Sequence, residues 1–283
     1  MYTVNPMSIT QGFLTALLAV ACMPAEKTSI DIPLDTTTGH PIVSVMINGS
    51  GPYNFIVDTG APVGVIDSKL AGNLALVAFD SAEIGDGTTS EMTPRYYIGS
   101  LIIGGYNFED IPLDDFPLGE IFISNIQGII GMDTFESGLL IFDFPSNRLI
   151  WEEGEGLKPG EEVLPYELDE GQFTIFLTID DDQYGLHLDT GSGTGFTLPG
   201  EMRDKFSYIR DPIIVGRART VSREIDVWRG RLAGSIELAG STFVDPDITF
   251  IDGLEKGNIG QKILRTYILS IDQAHKLIQL KRP

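Results

Sequence analysis

The chain repeats itself, and that repeat restricts its fold more than any other property. YNFIVDTGAPVGVI around Asp58 is echoed by YGLHLDTGSGTGFTL around Asp189. GSLIIGGYNF returns as GSIELAGSTF, GIIGMDTF as GNIGQKIL, and LLIFDFPSNRLIW as YILSIDQAHKLIQL. Four matches in the same order, each close to 130 residues apart, make two copies of one structural unit. Each copy is rich in short runs of β-branched and aromatic residues, such as IVSVMI and FTIFLTI, bounded by the turn-forming stretches NGSGPYN and DDDQYG. Helical periodicity is scarce; DSKLAGNL and PGEMRDKF are the best short candidates. The expected class is all-β.

The copies are expected over residues 28–152 and 167–283. Residues 153–166 are rich in Glu, Gly and Pro and read as a solvated linker. Ahead of the first copy, residues 1–27 carry an apolar run from Phe13 to Ala21, too short to span a bilayer. It ends in Ala19-Val20-Ala21, a small-x-small pattern that suits signal peptidase. Cys22 follows at once and resembles the lipidated cysteine of a bacterial lipoprotein, although no Lys or Arg precedes the run. Export to the periplasm, the envelope or the medium is expected. For Cys22, lipidation and an incidental cysteine both stay open, and a lipid anchor is the one membrane attachment considered.

Composition removes several classes. With 40 acidic and 19 basic residues the net charge is −21, unsuited to a nucleic-acid binder. One cysteine allows neither an internal disulfide nor a four-cysteine zinc site. The three histidines, His40, His187 and His275, lack metal-ligand spacing, so no metal and no cofactor is expected. Gly191–Gly195 lacks the spacing of a dinucleotide loop, and no GxSxG elbow occurs.

Each repeat delivers one Asp-Thr-Gly at the end of a strand: Asp58-Thr59-Gly60 and Asp189-Thr190-Gly191. The glycine admits a tight turn and exposes the carboxylate at a loop. Packed about a pseudo-twofold axis, the two aspartates would face each other. Two such carboxylates share a proton and titrate as a unit. The ionised partner can take a proton from water while the protonated one donates to a carbonyl oxygen. The pH optimum expected of such a pair is acidic to mildly acidic.

These motifs resemble the aspartic proteases, the clan of pepsins and retroviral proteases, across nearly the whole chain after the export segment. The wording of DTGA, GIIGMD and the closing segment is nearest to bacterial retropepsin-like proteins. The resemblance implies a bilobal fold of two pseudo-twofold-related, β-barrel-like lobes with the active-site cleft between them. It implies a monomeric aspartic endopeptidase, with Asp58 and Asp189 catalytic and an extended polypeptide as substrate. Thr59 and Thr190 match the threonines that hydrogen-bond across the dyad, with Gly60 and Gly191 completing the turns. The apolar-apolar-Gly brace corresponds to Ile129-Ile130-Gly131 in the first copy and to Asn258-Ile259-Gly260 in the second. The flap that covers the dyad corresponds to a hairpin with Gly85, Asp86 and Gly87 at its tip. The alternative is a catalytically inactive bilobal scaffold that binds peptides or envelope partners.

Departures from the family pattern carry their own expectations. Ala61 follows the first motif where pepsins have a hydroxyl residue, while Ser192 follows the second. A Ser192 hydroxyl on the outer carboxylate oxygen would make Asp189 the better-held anion. Eight bases fall between Arg203 and Arg231, in the flap region of the second copy. Binding of acidic substrate residues is one reading of them; pairing with nearby acids such as Glu224 and Asp226 is the preferred one.

Overall fold

A computed structural model describes residues 29–85, 90–120, 125–158, 160, 162–219 and 224–283. Cys22, Asp86 and Gly87 lie outside the described residues, as does the segment read as an export signal. The structure is of the all-β class, with only short helices, and forms two lobes over a shared sheet.

The first lobe is one nine-stranded path, from Asp80–Gly85 through Ser90–Ile98, Ile111–Phe116, Gly64–Asp67, Gly128–Ile130, Ser50–Val57, Ile42–Ile47 and Leu101–Ile103 to Tyr106–Phe108. The second lobe follows the same order with its own equivalents, from Tyr208–Arg219 to Ser241–Val244. Identical strand order in both lobes is the structural counterpart of the sequence repeat. Period-two patterning explains the strands themselves. Val43, Val45 and Ile47 are buried while Ser44 is exposed, and Phe173, Ile175, Leu177 and Ile179 are buried around exposed Phe176. The NGS and DDD turns form as expected, with Asn48 (φ 48°), Gly49 (φ 79°) and Asp180 (φ 54°) in left-handed conformations that such residues tolerate.

The shared sheet takes three strands from each half, in the order Ser29–Pro33, Arg148–Glu153, Gly138–Asp143, Ile268–Asp272, Leu277–Lys281, Val163–Pro165. At its centre Ile141 pairs with Ser270, 129 positions later, so the pseudo-twofold axis passes through this pair. The flanking registers obey the same offset: Leu140 faces Trp151, and Leu269 faces Leu280. Leu140, Phe142, Trp151, Leu269, Ile271, Ile278 and Leu280 are all essentially solvent-free. Each such side chain contributes roughly 1.5–3 kcal/mol relative to exposure, so this sheet is a main fastening between the lobes.

One strand lies in the stretch expected to be a linker. Val163–Pro165 pairs with Leu277–Lys281 and occupies the position that Ser29–Pro33 holds in the first half. The two helical candidates both form. Ser68–Asn73 is an α-helix capped by the Asp67 carboxylate, and Gly200–Lys205 winds as a 3₁₀-helix.

Candidate active site

Each aspartate sits in a loop whose two arms are strands of the same sheet. Val57 ends the strand entering the first loop and Gly64 begins the strand leaving it. Gly128–Ile130 inserts between these arms, parallel to the entering strand and antiparallel to the leaving one. The second lobe repeats this with Asn258–Ile259 between Asp182–Leu188 and Phe196–Pro199. The backbone N–H of Asp58 donates to Ile130 O at 3.1 Å, and that of Asp189 donates to Ile259 O at 3.1 Å. Closing contacts follow from Met132 N to Ala61 O (3.0 Å) and from Gln261 N to Ser192 O (2.8 Å). The two brace glycines are required by space. A methyl at Gly131 would overlap the Val63 backbone, and one at Gly260 would lie 2.6 Å from Thr194 O.

The two loops interlock through their threonines. Thr59 Oγ1 donates to Leu188 O at 2.7 Å and accepts the Thr190 N–H at 3.0 Å. Thr190 Oγ1 donates to Val57 O at 2.8 Å and accepts the Thr59 N–H at 3.0 Å. Both side chains are fully buried, so every one of these bonds acts without competing water. The grip brings the carboxylates to the axis. Asp58 Oδ1 accepts the N–H of its own Gly60 at 2.8 Å and that of Gly191 in the other lobe at 3.1 Å. A methyl at Gly60 would lie 3.1 Å from Asp189 Cγ and 3.2 Å from Asp58 Oδ1, so both carboxyl groups border the same small space.

Both carboxyls are held above the ordinary aspartate range. For Asp58 the chief cause is burial, opposed by the Gly60 and Gly191 N–H groups and by the nearby His40. Asp189 is pushed up to about 8 by burial first and then by the charge of Asp58, against the hydrogen bonds it accepts. A pair in this state retains a proton well above pH 4.

Ser192 acts differently from its expected role. Its backbone N–H donates to Asp189 Oδ1 at 2.8 Å, whereas its hydroxyl bonds to Thr194 Oγ1 at 2.7 Å. The outer oxygen, Asp189 Oδ2, is held instead by the Asn258 side-chain amide at 2.8 Å. The turn geometry accounts for this: the Ser192 hydroxyl points along the loop toward Thr194, and the inserted brace strand reaches the carboxylate first. In the sequence Asn258 is only the first residue of the second brace; a polar residue where the first copy has Ile129 is the signal it offers. Sequence reasoning passed over Gln172, whose Nε2 donates across the lobes to Gly60 O at 2.6 Å, and Gln261, whose Nε2 donates to Thr190 O at 3.1 Å. His40, beside Asp58, was noted only for its lack of metal spacing.

The flap region is a hairpin of Asp80–Gly85 and Ser90–Ile98, with Gly85 at the end of its first strand. Its second-lobe counterpart is the long hairpin of Tyr208–Arg219 and Glu224–Leu232. Several bases there pair with acids: Arg203 with Asp252, Arg210 with Asp247, and Arg217 with Glu224 and Asp226. Three of the eight bases thus stand in ion pairs with neighbouring acids among the described residues. His187 lies on the strand entering the second loop, with Nε2 3.4 Å from Asp169, and burial holds its imidazole below the usual range. Among the described residues no cluster of His, Cys, Asp and Glu is arranged to hold a metal ion.

No significant match to the chain was found among curated proteins. Residues 43–134 match the family model described as aspartyl protease. That span contains the Asp58 loop, its brace and the flap hairpin, and the second lobe repeats the same strand order. Residues 43–134 are thus similar to a retropepsin-like aspartyl protease family, and the all-β, two-lobed architecture is consistent with the aspartic-protease fold.

Proposed function

We propose that the chain is an aspartic endopeptidase in which Asp58 and Asp189 activate water against a peptide bond. The observation that carries this reading is the reciprocal Thr59–Thr190 grip, which holds two Asp-Thr-Gly loops face to face with both carboxylates at the axis. In the reaction, the ionised carboxylate takes a proton from water as the water oxygen attacks the carbonyl carbon. The protonated partner gives its proton to the carbonyl oxygen, forming a neutral gem-diol. Collapse returns a diol proton to one carboxylate while the other protonates the departing nitrogen, and the C–N bond breaks. The net change is addition of one water, and the pair regains its single proton. An extended polypeptide lying between the lobes is the substrate class, and one chain supplies both halves of the dyad.

Cleavage of a peptide library by the chain from pH 3 to 9 tests the reading beside Asp58→Asn and Asp189→Asn. Either substitution is expected to lower kcat by about 10³-fold or more, because the remaining carboxyl cannot serve as acid and base together. The pair titrates as a unit, and its shared proton leaves as pH rises through about 8, so activity falls on the alkaline side. No cutting at any pH by a folded chain, together with no binding of a statine-type transition-state analogue, overturns the reading in favour of a peptide-binding scaffold.

A further inference from the structure

The repeat makes the surroundings of the two aspartates comparable position by position, and at four positions the chemistry changes sides. Ala61, Val63 and Ile66 of the first lobe correspond to Ser192, Thr194 and Thr197 of the second, at the 131-residue offset that relates the two aspartates. Ile129 corresponds to Asn258, as their flanking glycines Gly128 and Gly257 show. Behind Asp58 the four are apolar; behind Asp189 all four are polar.

The polar four form one connected set. Thr194 Oγ1 lies 2.7 Å from both Ser192 Oγ and Thr197 Oγ1, and Thr197 is fully buried. Thr194 Oγ1 also donates to Asn258 Oδ1 at 3.5 Å, and Asn258 Nδ2 donates to Asp189 Oδ2 at 2.8 Å. The hydroxyl on one side and the carboxylate on the other fix the orientation of the amide. Its carbonyl must face a donor and its NH₂ must face the acceptor. An amide NH₂ can only donate, so a proton placed on Asp189 Oδ2 would meet another hydrogen. Asp58 Oδ2 accepts no hydrogen bond among the described residues.

From this arrangement, and resting on the two-aspartate reading above, we infer that Asn258 is a positioning residue that makes the dyad unequal. It commits Asp189 Oδ2 as an acceptor and confines the shared proton to the inner face of the pair or to Asp58. Asp58 Oδ2 is then the outer oxygen that donates to the substrate carbonyl, and Asp189 is the base that receives the water proton. The hydroxyls of Ser192, Thr194 and Thr197 hold the amide in place. In the first lobe, Ile129 has no donor to offer Asp58.

The test compares the wild-type chain with Asn258→Ile, which installs the first-lobe residue, and with Asn258→Asp, which keeps the side-chain shape and replaces the donor by an acid. Two readouts are followed from pH 3 to 11: the pH–rate profile for cleavage, and the carboxyl carbons of the aspartates by ¹³C NMR. Loss of one hydrogen bond to a charged group corresponds to a shift of about one to two pH units. The upper apparent pKa of the pair, and the alkaline limb of the rate profile, are expected to rise by that much in Asn258→Ile. In Asn258→Asp they are expected to rise at least as far. Ser192→Ala, which leaves the amide contact intact, is expected to move them by less than half as much. Equal titration in wild type and in both Asn258 variants overturns the inference, even where cleavage is normal. A wild-type chain that neither cuts peptides nor binds a statine analogue overturns the protease reading instead. The carboxyl titration still decides on Asn258 in that event, since it needs no turnover.

Discussion

Thr59 and Thr190 each reach into the opposite lobe, where the hydroxyl accepts a backbone N–H and donates to a backbone carbonyl. Thr59→Val keeps the shape but leaves Leu188 O and the Thr190 N–H buried without partners. A loss of about 2–4 kcal/mol is expected in chemical denaturation, with Thr59→Ser restoring most of it. Asp133 is the opposite case, a half-buried carboxyl whose two oxygens are shielded from water, with only weak support from the neighbouring Thr134. Burial, more than the neighbouring charges, raises it to about 6. Because its folded value lies above the unfolded one, its contribution to stability is fully present below about pH 4 and is lost as pH rises through about 6. Asp133→Asn should match wild type at pH 4 and be more stable at pH 8, by on the order of 2 kcal/mol, in thermal melts compared at the two pH values. The aspartates and threonines were legible in the sequence because each occurs in a repeated tripeptide. Asn258 was not, because its partner is a carboxylate 69 residues earlier and no local pattern announces that contact.

At the scale of elements, the brace strand explains why the Asp loops keep their shape. Gly131 lies where the loop backbone at Val63 and Gly64 leaves no room for a side chain. Gly131→Ala is expected to cost about 1–3 kcal/mol by overpacking and to displace Asp58, lowering kcat more than it raises KM. Gly72, on the exposed face of the Ser68–Asn73 helix with open space around it, is a suitable control, since Gly72→Ala should stabilise slightly. The hairpins could be read from turn residues, and the helices at Ser68–Asn73 and Gly200–Lys205 from short runs of helical pattern. The Val163–Pro165 strand could not. Three residues between a Glu-rich stretch and Tyr166 carry too little periodicity, and the strand exists because Leu277–Lys281 presents an open edge there. The first helix, by contrast, could be read from DSKLAGNL, and the structure adds its cap, the Asp67 carboxylate.

The whole molecule is tied together at two levels, by the threonine grip at the cleft and by the six-stranded sheet beneath it. Because Gly138–Asp143 and Ile268–Asp272 are adjacent strands of that sheet, neither half keeps its apolar face covered without the other. Calorimetry of the intact chain is therefore expected to give one cooperative transition; two resolved transitions would show that the lobes unfold separately. The central pair of that sheet also says what joining two copies in one chain makes available. A residue lying on a true twofold axis must meet its own duplicate, and any change made to one subunit is imposed on the other. Here Ile141 meets Ser270, two unlike residues at one symmetric place. A fused pair can keep the geometry of a symmetric assembly while its halves diverge in chemistry. Placing an amide behind one aspartate and an isoleucine behind the other is a difference that no assembly of identical subunits could encode.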